Sequence, residues 1–336
     1  MKNRTISHPQ LLTVVTLALF PLGTEVLFSR LAPAGAAGWL CPLAAGGVAV
    51  LLVVLLKGRC RTPERMNRVL AGGLLLWGMF FGGAQACRIG VRLSDPLGAS
   101  PILLTAAVLL LAAWMAAGGL PAFARACQIF LPALGGATIL ILLAGVFSLQ
   151  WDWVLLWTAR ELAQVPLGAL ECLGLLSVGC YGLLLIEDVA PQGGGRGRIC
   201  RMIGRIALLL GAVEVLILGR FGPALVSQMD RPFLQMVSGL GLEGAFQRLE
   251  QLASALWVLG DLALLGFLFL CLAKLMGRLA GQPESTGWVW LLGAGVFLLA
   301  LPVTFWQEVL EGPILWVGNL SAGVLILAHF GLKKKK

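Results

Sequence analysis

The sequence alternates long apolar runs with short breaks that contain charged residues, glycine or proline. Ten of these runs are close to the length that an α-helix needs to cross a bilayer. They predict membrane-spanning helices, numbered one to ten, at residues 9–31, 38–56, 67–91, 101–119, 123–147, 166–188, 202–220, 250–277, 287–306 and 312–332. The pattern therefore predicts an all-α polytopic membrane protein.

Span one contains a break that a simple membrane helix lacks. Pro21 removes a backbone donor, Gly23 tolerates unusual backbone angles, and the polar residues Thr24 and Glu25 follow within the apolar run. A helix broken at this depth exposes carbonyl and N–H groups, which is how many transporters form a ligand site near the midplane. The alternative is a mildly kinked helix that binds nothing.

Span six contains a second break. Ser177, Gly179 and Tyr181 place small and polar residues in the middle of its apolar run. Glycine in membrane helices often serves packing alone, so this break is a weak signal by itself. Its position relative to the break in span one strengthens it.

The two breaks occupy corresponding positions in two halves of five spans. Because five is odd, the second half has inverted topology, and paired breaks in inverted halves indicate a binding site near the midplane. We therefore expect a single integral membrane domain over residues 1–336. It would contain inverted repeats at about 9–147 and 166–332, with helices one and six broken.

Composition supports a membrane protein and argues against a nucleic-acid-binding one. The 336 residues are 59% hydrophobic and 12% charged, with a mean hydropathy of +0.91. The net charge of +9 comes from basic residues in short loops without interleaved aromatics. Most Lys and Arg lie on the side of both termini, which predicts cytosolic N- and C-termini. The eight scattered cysteines and two distant histidines predict no metal site or cofactor.

Acidic residues within the predicted spans are candidates for function, because buried charge is costly in a membrane. They are Glu25, Glu171, Glu214 and Asp261, with Glu308 near the end of span nine. No Lys or Arg is predicted deep in a span. Asp261, in the middle of span eight behind Trp257, favours a functional role. For Glu171 and Glu308 we favour a carboxyl that hydrogen-bonds a neighbouring helix, and no catalytic constellation is visible.

Two predicted external loops are longer than simple connectors. Residues 148–165 carry three tryptophans beside charged residues, as is typical of a segment at the membrane interface. Residues 221–249 contain a short helical pattern at Phe233, Met236 and Val237. This loop either caps an outward-facing cavity or packs on the lipid interface.

Four stretches together resemble a known family. They are Ile6–Phe28, the CRIGVRL stretch that contains Arg88, the WMAAGGLPAFARACQIFLP stretch with Gly119, Arg125 and Pro132, and the region from Phe221-Gly222-Pro223 through Arg248-Leu249-Glu250 to Trp257. In this order they are similar to the B subunit of bacterial spore germinant receptors, within the amino acid–polyamine–organocation transporter superfamily.

The resemblance implies a ten-span fold of the LeuT type that binds a small nutrient, typically an amino acid, between spans one, three, six and eight. It also implies the spore inner membrane and two partners, a larger A subunit and a lipoprotein C subunit. The chain departs from the family at Leu264–Gly266, where a basic residue is expected, and at Cys180–Gly182, where an acidic one is expected.

We therefore expect a nutrient sensor whose ligand lies at the breaks of spans one and six. The candidate ligand-binding residues are Pro21, Gly23, Thr24, Glu25, Ser177, Gly179, Tyr181, Trp257 and Asp261. Backbone N–H groups after Gly23 would hold the ligand carboxylate, and Asp261 or Glu25 would face its amine or a coupled cation. The alternatives are an amino acid transporter coupled to H⁺ or Na⁺ and a structural subunit with a vestigial pocket.

Overall fold

The computed structural model of this chain describes residues 5–28, 31–55, 66–147, 149–190, 195–229, 231–239, 249–282, 285–302 and 313–331. The side chain of Glu25 and the whole of Glu308 lie outside this described part, so the expectations for these two residues cannot be compared with it.

Thirteen α-helices are described; ten of them overlap the ten predicted spans in order, and three short ones lie in the predicted loops. They are α1 (His8–Pro21), α2 (Leu40–Leu55), α3 (Arg68–Leu97), α4 (Pro101–Ala117), α5 (Leu120–Val146), α6 (Asp152–Leu155), α7 (Ala159–Leu176), α8 (Gly195–Phe221), α9 (Pro223–Val226), α10 (Pro232–Ser238), α11 (Leu249–Ala280), α12 (Thr286–Ala300) and α13 (Ile314–Gly331).

Three shorter helical pieces interrupt or join these helices. A π-helical segment, Leu22–Leu27, continues α1. A first 3₁₀ segment, Ala32–Ala37, precedes α2, and a second, Ser177–Asp188, continues α7. Among the described residues the one β-type pairing is an isolated parallel bridge between Ile6 and Val189.

The described helices have the length and composition of an all-α membrane protein. Five are long and apolar enough to cross a membrane: α3, α5, α7 with the second 3₁₀ segment, α8 and α11. The helices α2, α4, α12 and α13 are apolar but shorter. This confirms the class predicted from the apolar runs, while the ten-span topology and the inverted repeat stay predictions.

Several helix boundaries differ from the prediction, and two of the differences have a local cause. Helix α3 continues to Leu97, beyond the predicted end of span three at residue 91, and stops where Gly98 adopts a left-handed conformation. Helix α7 begins at Ala159 instead of residue 166. The Thr158 hydroxyl accepts from the Glu161 N–H (3.2 Å) while the Glu161 carboxylate accepts from the Thr158 N–H (2.7 Å). This capping box starts the helix inside the segment expected to be interfacial.

Helix α11 forms the centre of the fold. It packs against α1, α3, α4, α5 and α12. In the most apolar 18-residue stretch of α11, 72% of the residues are buried, whereas in the corresponding stretch of α5 the buried share is 17%. Apolar side chains along its length, such as Leu264, Phe267 and Leu275, are fully buried. An apolar helix enclosed on all sides by other helices is a core helix, whereas α5 presents most of its surface to the surroundings.

The first 3₁₀ segment is held against the start of α7. The Glu161 carboxylate that completes the capping box also accepts a hydrogen bond from the Ala36 N–H at 3.1 Å. Gly35 has φ +53°, and a Cβ at this position would overlap the same carboxylate. Only glycine therefore fits both the backbone conformation and the space.

We expect Gly318→Ala to destabilise the protein by about 1–3 kcal/mol, the usual cost of overpacking a tight contact. A Cβ at Gly318 on α13 would overlap the Trp77 ring on α3, which is also fixed by a hydrogen bond from Trp77 Nε1 to Asn319 Oδ1 (2.9 Å). Thermal unfolding in detergent measures the change. Gly73→Ala on α3, where no atom lies within 4 Å of the new Cβ, is the control and should unfold like wild type.

Candidate functional site

The break in α1 is buried and fixed to α11 by a hydrogen bond. Pro21 ends the α-helix, and the wider π turn that follows accommodates the lost donor. Thr24, 1% exposed, donates from Oγ1 to the Phe20 carbonyl at 3.0 Å. The same hydroxyl accepts from Trp257 Nε1 at 2.8 Å. Because π turns inside α-helices frequently mark functional sites, this is the strongest candidate position in the described structure.

Aromatic rings surround the point where the break meets α11. Trp257 is fully buried between Phe20 and Phe233, with ring centroids 5.1 Å and 5.0 Å away. Phe233 belongs to α10, so the segment after α8 covers the break. The described part of residues 221–249 therefore packs against the continuation of α1 and against α11. Both alternatives for this loop, a cap over an outward-facing cavity and a segment on the lipid interface, stay predictions. Residues 240–248 lie outside the description.

Asp261 lies one turn beyond Trp257 and has an ionic partner. Its carboxylate forms a buried ion pair with Arg92 of α3, and the two side chains are 0% and 4% exposed. Arg88, one turn earlier on α3, also attracts Asp261 electrostatically. The expectation that no Lys or Arg lies deep in a span is wrong, because α3 runs past Arg88 and Arg92 and carries both into the bundle.

The second break is a 3₁₀ segment whose polar groups point in different directions. Ser177 donates from Oγ to the Gly174 carbonyl at 2.6 Å and packs against Gly323 of α13. Tyr181 is buried and donates from its hydroxyl to the Leu74 carbonyl of α3 at 3.1 Å. Its hydroxyl therefore serves to join two helices.

Gly179 and Gly182 of the second break pack against α1. A Cβ on Gly179 would lie 3.2 Å from Val15, and one on Gly182 would lie 3.0 Å from the same side chain. Val15 is nearly two turns before Pro21. The second break therefore contacts the regular part of α1 before the π segment.

Seven of the nine candidate residues fall into two groups in space. Pro21, Thr24, Trp257 and Asp261 lie together: a Cβ on Gly260 would be 3.3 Å from Pro21 Cδ, and Asp261 follows directly. Ser177, Gly179 and Tyr181 lie elsewhere on the bundle. Gly23 faces away from α11, since a Cβ there would overlap Leu210 of α8.

The two described cavities contain none of the nine candidates. An open apolar groove of about 520 Å³ lies at the turn between α4 and α5, lined among others by Trp114, Met115 and Phe123. A cavity of about 20 Å³ lies between the first 3₁₀ segment and α7, beside Gln164 and Glu171. Within the described residues, no group of three His, Cys, Asp or Glu side chains could hold a metal ion.

A second ionic network lies near the C-terminal end of α11, and sequence reasoning missed it. Lys274, 5% exposed, contacts Asp188 at 2.5 Å and Glu187 at 3.7 Å, and Arg278 contacts Glu187 at 3.1 Å. Ile6 donates from its N–H to the Asp188 carbonyl at 2.9 Å. The available signal was topological, because the ends of spans six and eight are predicted on the same side of the membrane.

Helical content, apolar composition and a polar centre inside the bundle define the protein as an all-α membrane protein with an interrupted first helix. No protein-family model matches the sequence, and a search among curated proteins finds no relative.

We expect Asp261→Asn to destabilise the protein by about 3–5 kcal/mol, because it leaves the buried Arg92 guanidinium without its carboxylate. Replacing both partners by apolar residues, Arg92→Met with Asp261→Leu, should restore part of the loss, since both charges of the pair are then removed while Arg88 stays nearby. Thermal unfolding in detergent measures each step. Glu187→Gln, at a half-buried pair, should cost about 1 kcal/mol or less. A single Asp261→Asn variant as stable as wild type would contradict the role of the pair.

Proposed function

We propose that the chain senses a small nutrient, an amino acid in the simplest case, at the break of α1 and acts as the B subunit of a spore germinant receptor in the spore inner membrane. The observation that supports this most is the hydrogen bond between Thr24 and Trp257. It ties an interrupted helix to the central helix, so a ligand that displaces either side chain changes the contact between α1 and α11.

The π segment supplies groups suited to the carboxylate of such a ligand. Interrupted membrane helices bind anionic substrate groups through exposed backbone N–H groups, where the positive end of the helix dipole adds to the attraction. Residues 22–27 continue α1 as a π-helical turn, so their N–H groups would have to turn from the helix toward the ligand when it binds. The N–H groups would hold the carboxylate without any basic side chain on α1.

The amine of the ligand would meet Asp261 in competition with Arg92. The carboxylate already forms a buried ion pair with this guanidinium, so a ligand amine gains only the difference between the two contacts. A ligand shifts a two-state protein by its differential affinity for the two states alone. Binding at Asp261 therefore couples directly to the contact between α3 and α11.

The resemblance to germinant receptor B subunits supplies the biological setting and the partners, an A subunit and a lipoprotein C subunit. The described helical segments outside the apolar helices are the short helices α6, α9 and α10 and the first 3₁₀ segment. A rearrangement inside the bundle needs a partner that reads it at these segments or on the outer helix faces.

A transporter that moves an amino acid with H⁺ or Na⁺ is the second candidate. The buried carboxyl group of Glu214 on α8, 1% exposed, favours it, because buried carboxyl groups in membrane helices commonly serve ion or proton pathways. The close packing of Gly23 on Leu210 favours the third reading, a structural subunit with a vestigial pocket. The two experiments below separate the three.

We expect Gly23→Leu to leave membrane insertion near normal and to abolish the nutrient response of spores. The new side chain would occupy the space of Leu210 and displace the π segment. The compensating pair Gly23→Leu with Leu210→Ala should recover thermal stability but not the response, because a ligand still could not approach the backbone at residue 23. Germination dose–response curves and membrane protein levels measure both.

The matched control is Gly47→Leu on α2, where no atom lies within 4 Å of the new Cβ and the response should be unchanged. Recovery of the response by the compensating pair would show that Gly23 serves packing alone. A normal response in Gly23→Leu itself would remove the ligand from α1.

We expect deletion of the co-encoded A subunit to silence the nutrient response while this chain is still made and inserted. The chain alone in liposomes should bind radiolabelled amino acids weakly and accumulate none against a gradient. Membrane levels, germination assays and liposome uptake under an imposed proton or sodium gradient measure these outcomes. Robust ion-driven accumulation by the isolated chain would replace the receptor with the transporter.

A further inference from the structure

Glu214 is a buried acid that the proposed ligand site does not use. It lies on α8 and is 1% exposed, and its Oε2 atom has no hydrogen-bond partner among the described residues. Its Oε1 atom faces the turn between the first 3₁₀ segment and α2, where a Cβ on Gly38 would lie 3.0 Å away. The carboxyl group therefore touches the segment that leads from the broken helix α1 into α2.

The titratable groups around Glu214 come from two neighbouring helices and are acidic or neutral. Cys41 of α2 and Cys172 of α7 are both fully buried, and each interacts electrostatically with Glu214 and with Glu171. Two carboxyl groups from α7 and α8 thus lie around two thiols. Glu214 forms no ion pair with a lysine or arginine of the described residues, in contrast to Asp261.

A small cavity lies beside this cluster. It lies between the first 3₁₀ segment and α7, has a volume of about 20 Å³, and is lined by Gln164 and Glu171. A volume above about 10–15 Å³ with polar partners can hold one water molecule. Gly168 also lines the cavity, and a Cβ there would lie 2.7 Å from Cys41 Sγ. The cavity and Glu214 are therefore on two sides of Cys41.

The physical chemistry of such a group favours the neutral acid. An ionised carboxylate without a partner in a low-dielectric interior costs far more than a neutral carboxyl, so the group holds its proton. Loss of that proton leaves a negative charge beside the 32–38 turn, with Glu171 as a second acid nearby. A change of protonation at this point thus changes the electrostatic energy of the turn that follows the α1 break.

We propose that Glu214 is a proton-binding site, and that its proton exchanges with water in the cavity at Glu171, past Cys41. The step is a proton transfer: a hydronium ion gives its proton to a carboxylate oxygen of Glu214, which leaves a neutral carboxyl group and one water molecule. The ligand is H⁺, and the site is separate from the residues assigned to the nutrient. The inference stands without the proposed function, and it names the ion that a coupled transporter would use.

Infrared spectroscopy of the full chain in lipid nanodiscs tests the proposal, because a protonated carboxyl group absorbs apart from ionised carboxylates. We expect a protonated-carboxyl band at neutral pH that loses one component in Glu214→Gln, which keeps size and removes the acid. Glu214→Asp should shift the band and not delete it. Asp152→Asn, at an exposed acid, is the control and should leave the band unchanged.

Two results would overturn the assignment: a wild-type spectrum without the band, or a band that is unchanged in Glu214→Gln. The wild-type spectrum decides even where a variant fails to fold.

The path of the proton is tested by transferring the protein into D₂O. The band should shift as the proton exchanges, and Glu171→Gln should slow that shift several-fold. An equal exchange rate in Glu171→Gln would exclude the cavity as the path. Neither measurement uses a nutrient or a partner, so failure of the receptor proposal leaves the result interpretable.

Discussion

The ion pair between Arg92 and Asp261 is the interaction on which the centre of the bundle depends. Both groups are buried among apolar helices, where either charge alone would cost several kcal/mol. The pair can exist only if α3 and α11 hold their register at this level, because the two residues are 169 positions apart in the chain. The pair therefore fixes the position of α11 relative to α3 independently of any ligand contact.

The same central helix carries a second set of charges near its C-terminal end. Lys274 is thirteen residues after Asp261, roughly 20 Å along the helix axis at 1.5 Å per residue. There it contacts Glu187 and Asp188, where the second 3₁₀ segment ends, and the Ile6 backbone pairs with the same segment. Helix α11 is thus held by α3 near its middle and by the continuation of α7 near its C-terminal end.

The helices and the α1 break could be predicted from the sequence, because apolar run length and Pro21 act locally. The residues that contact Asp261 and Gly23 could not be predicted from it. Arg92 lies just after the apolar run of span three, which predicts a loop at this position. The helix nevertheless continues as far as Gly98 and buries Arg92. The direction in which Gly23 faces depends on the rotation of the helix within the bundle, which no local pattern specifies.

The contacts of α11 differ in strength, and this difference orders the movements that the bundle permits. A buried ion pair loses about 3–5 kcal/mol when one partner is removed, whereas a neutral hydrogen bond contributes about 0.5–1.5 kcal/mol. Arg92 joins α3 to α11 by the first kind of contact, and Thr24 joins the α1 break to it by the second. The rings of Phe20 and Trp257 also pack together and add about 0.5–1.5 kcal/mol, so the α1 break still separates from α11 at lower cost than α3 does. A ligand of modest affinity can supply that smaller energy, so the α1 break is the part of the centre that such a ligand is able to move.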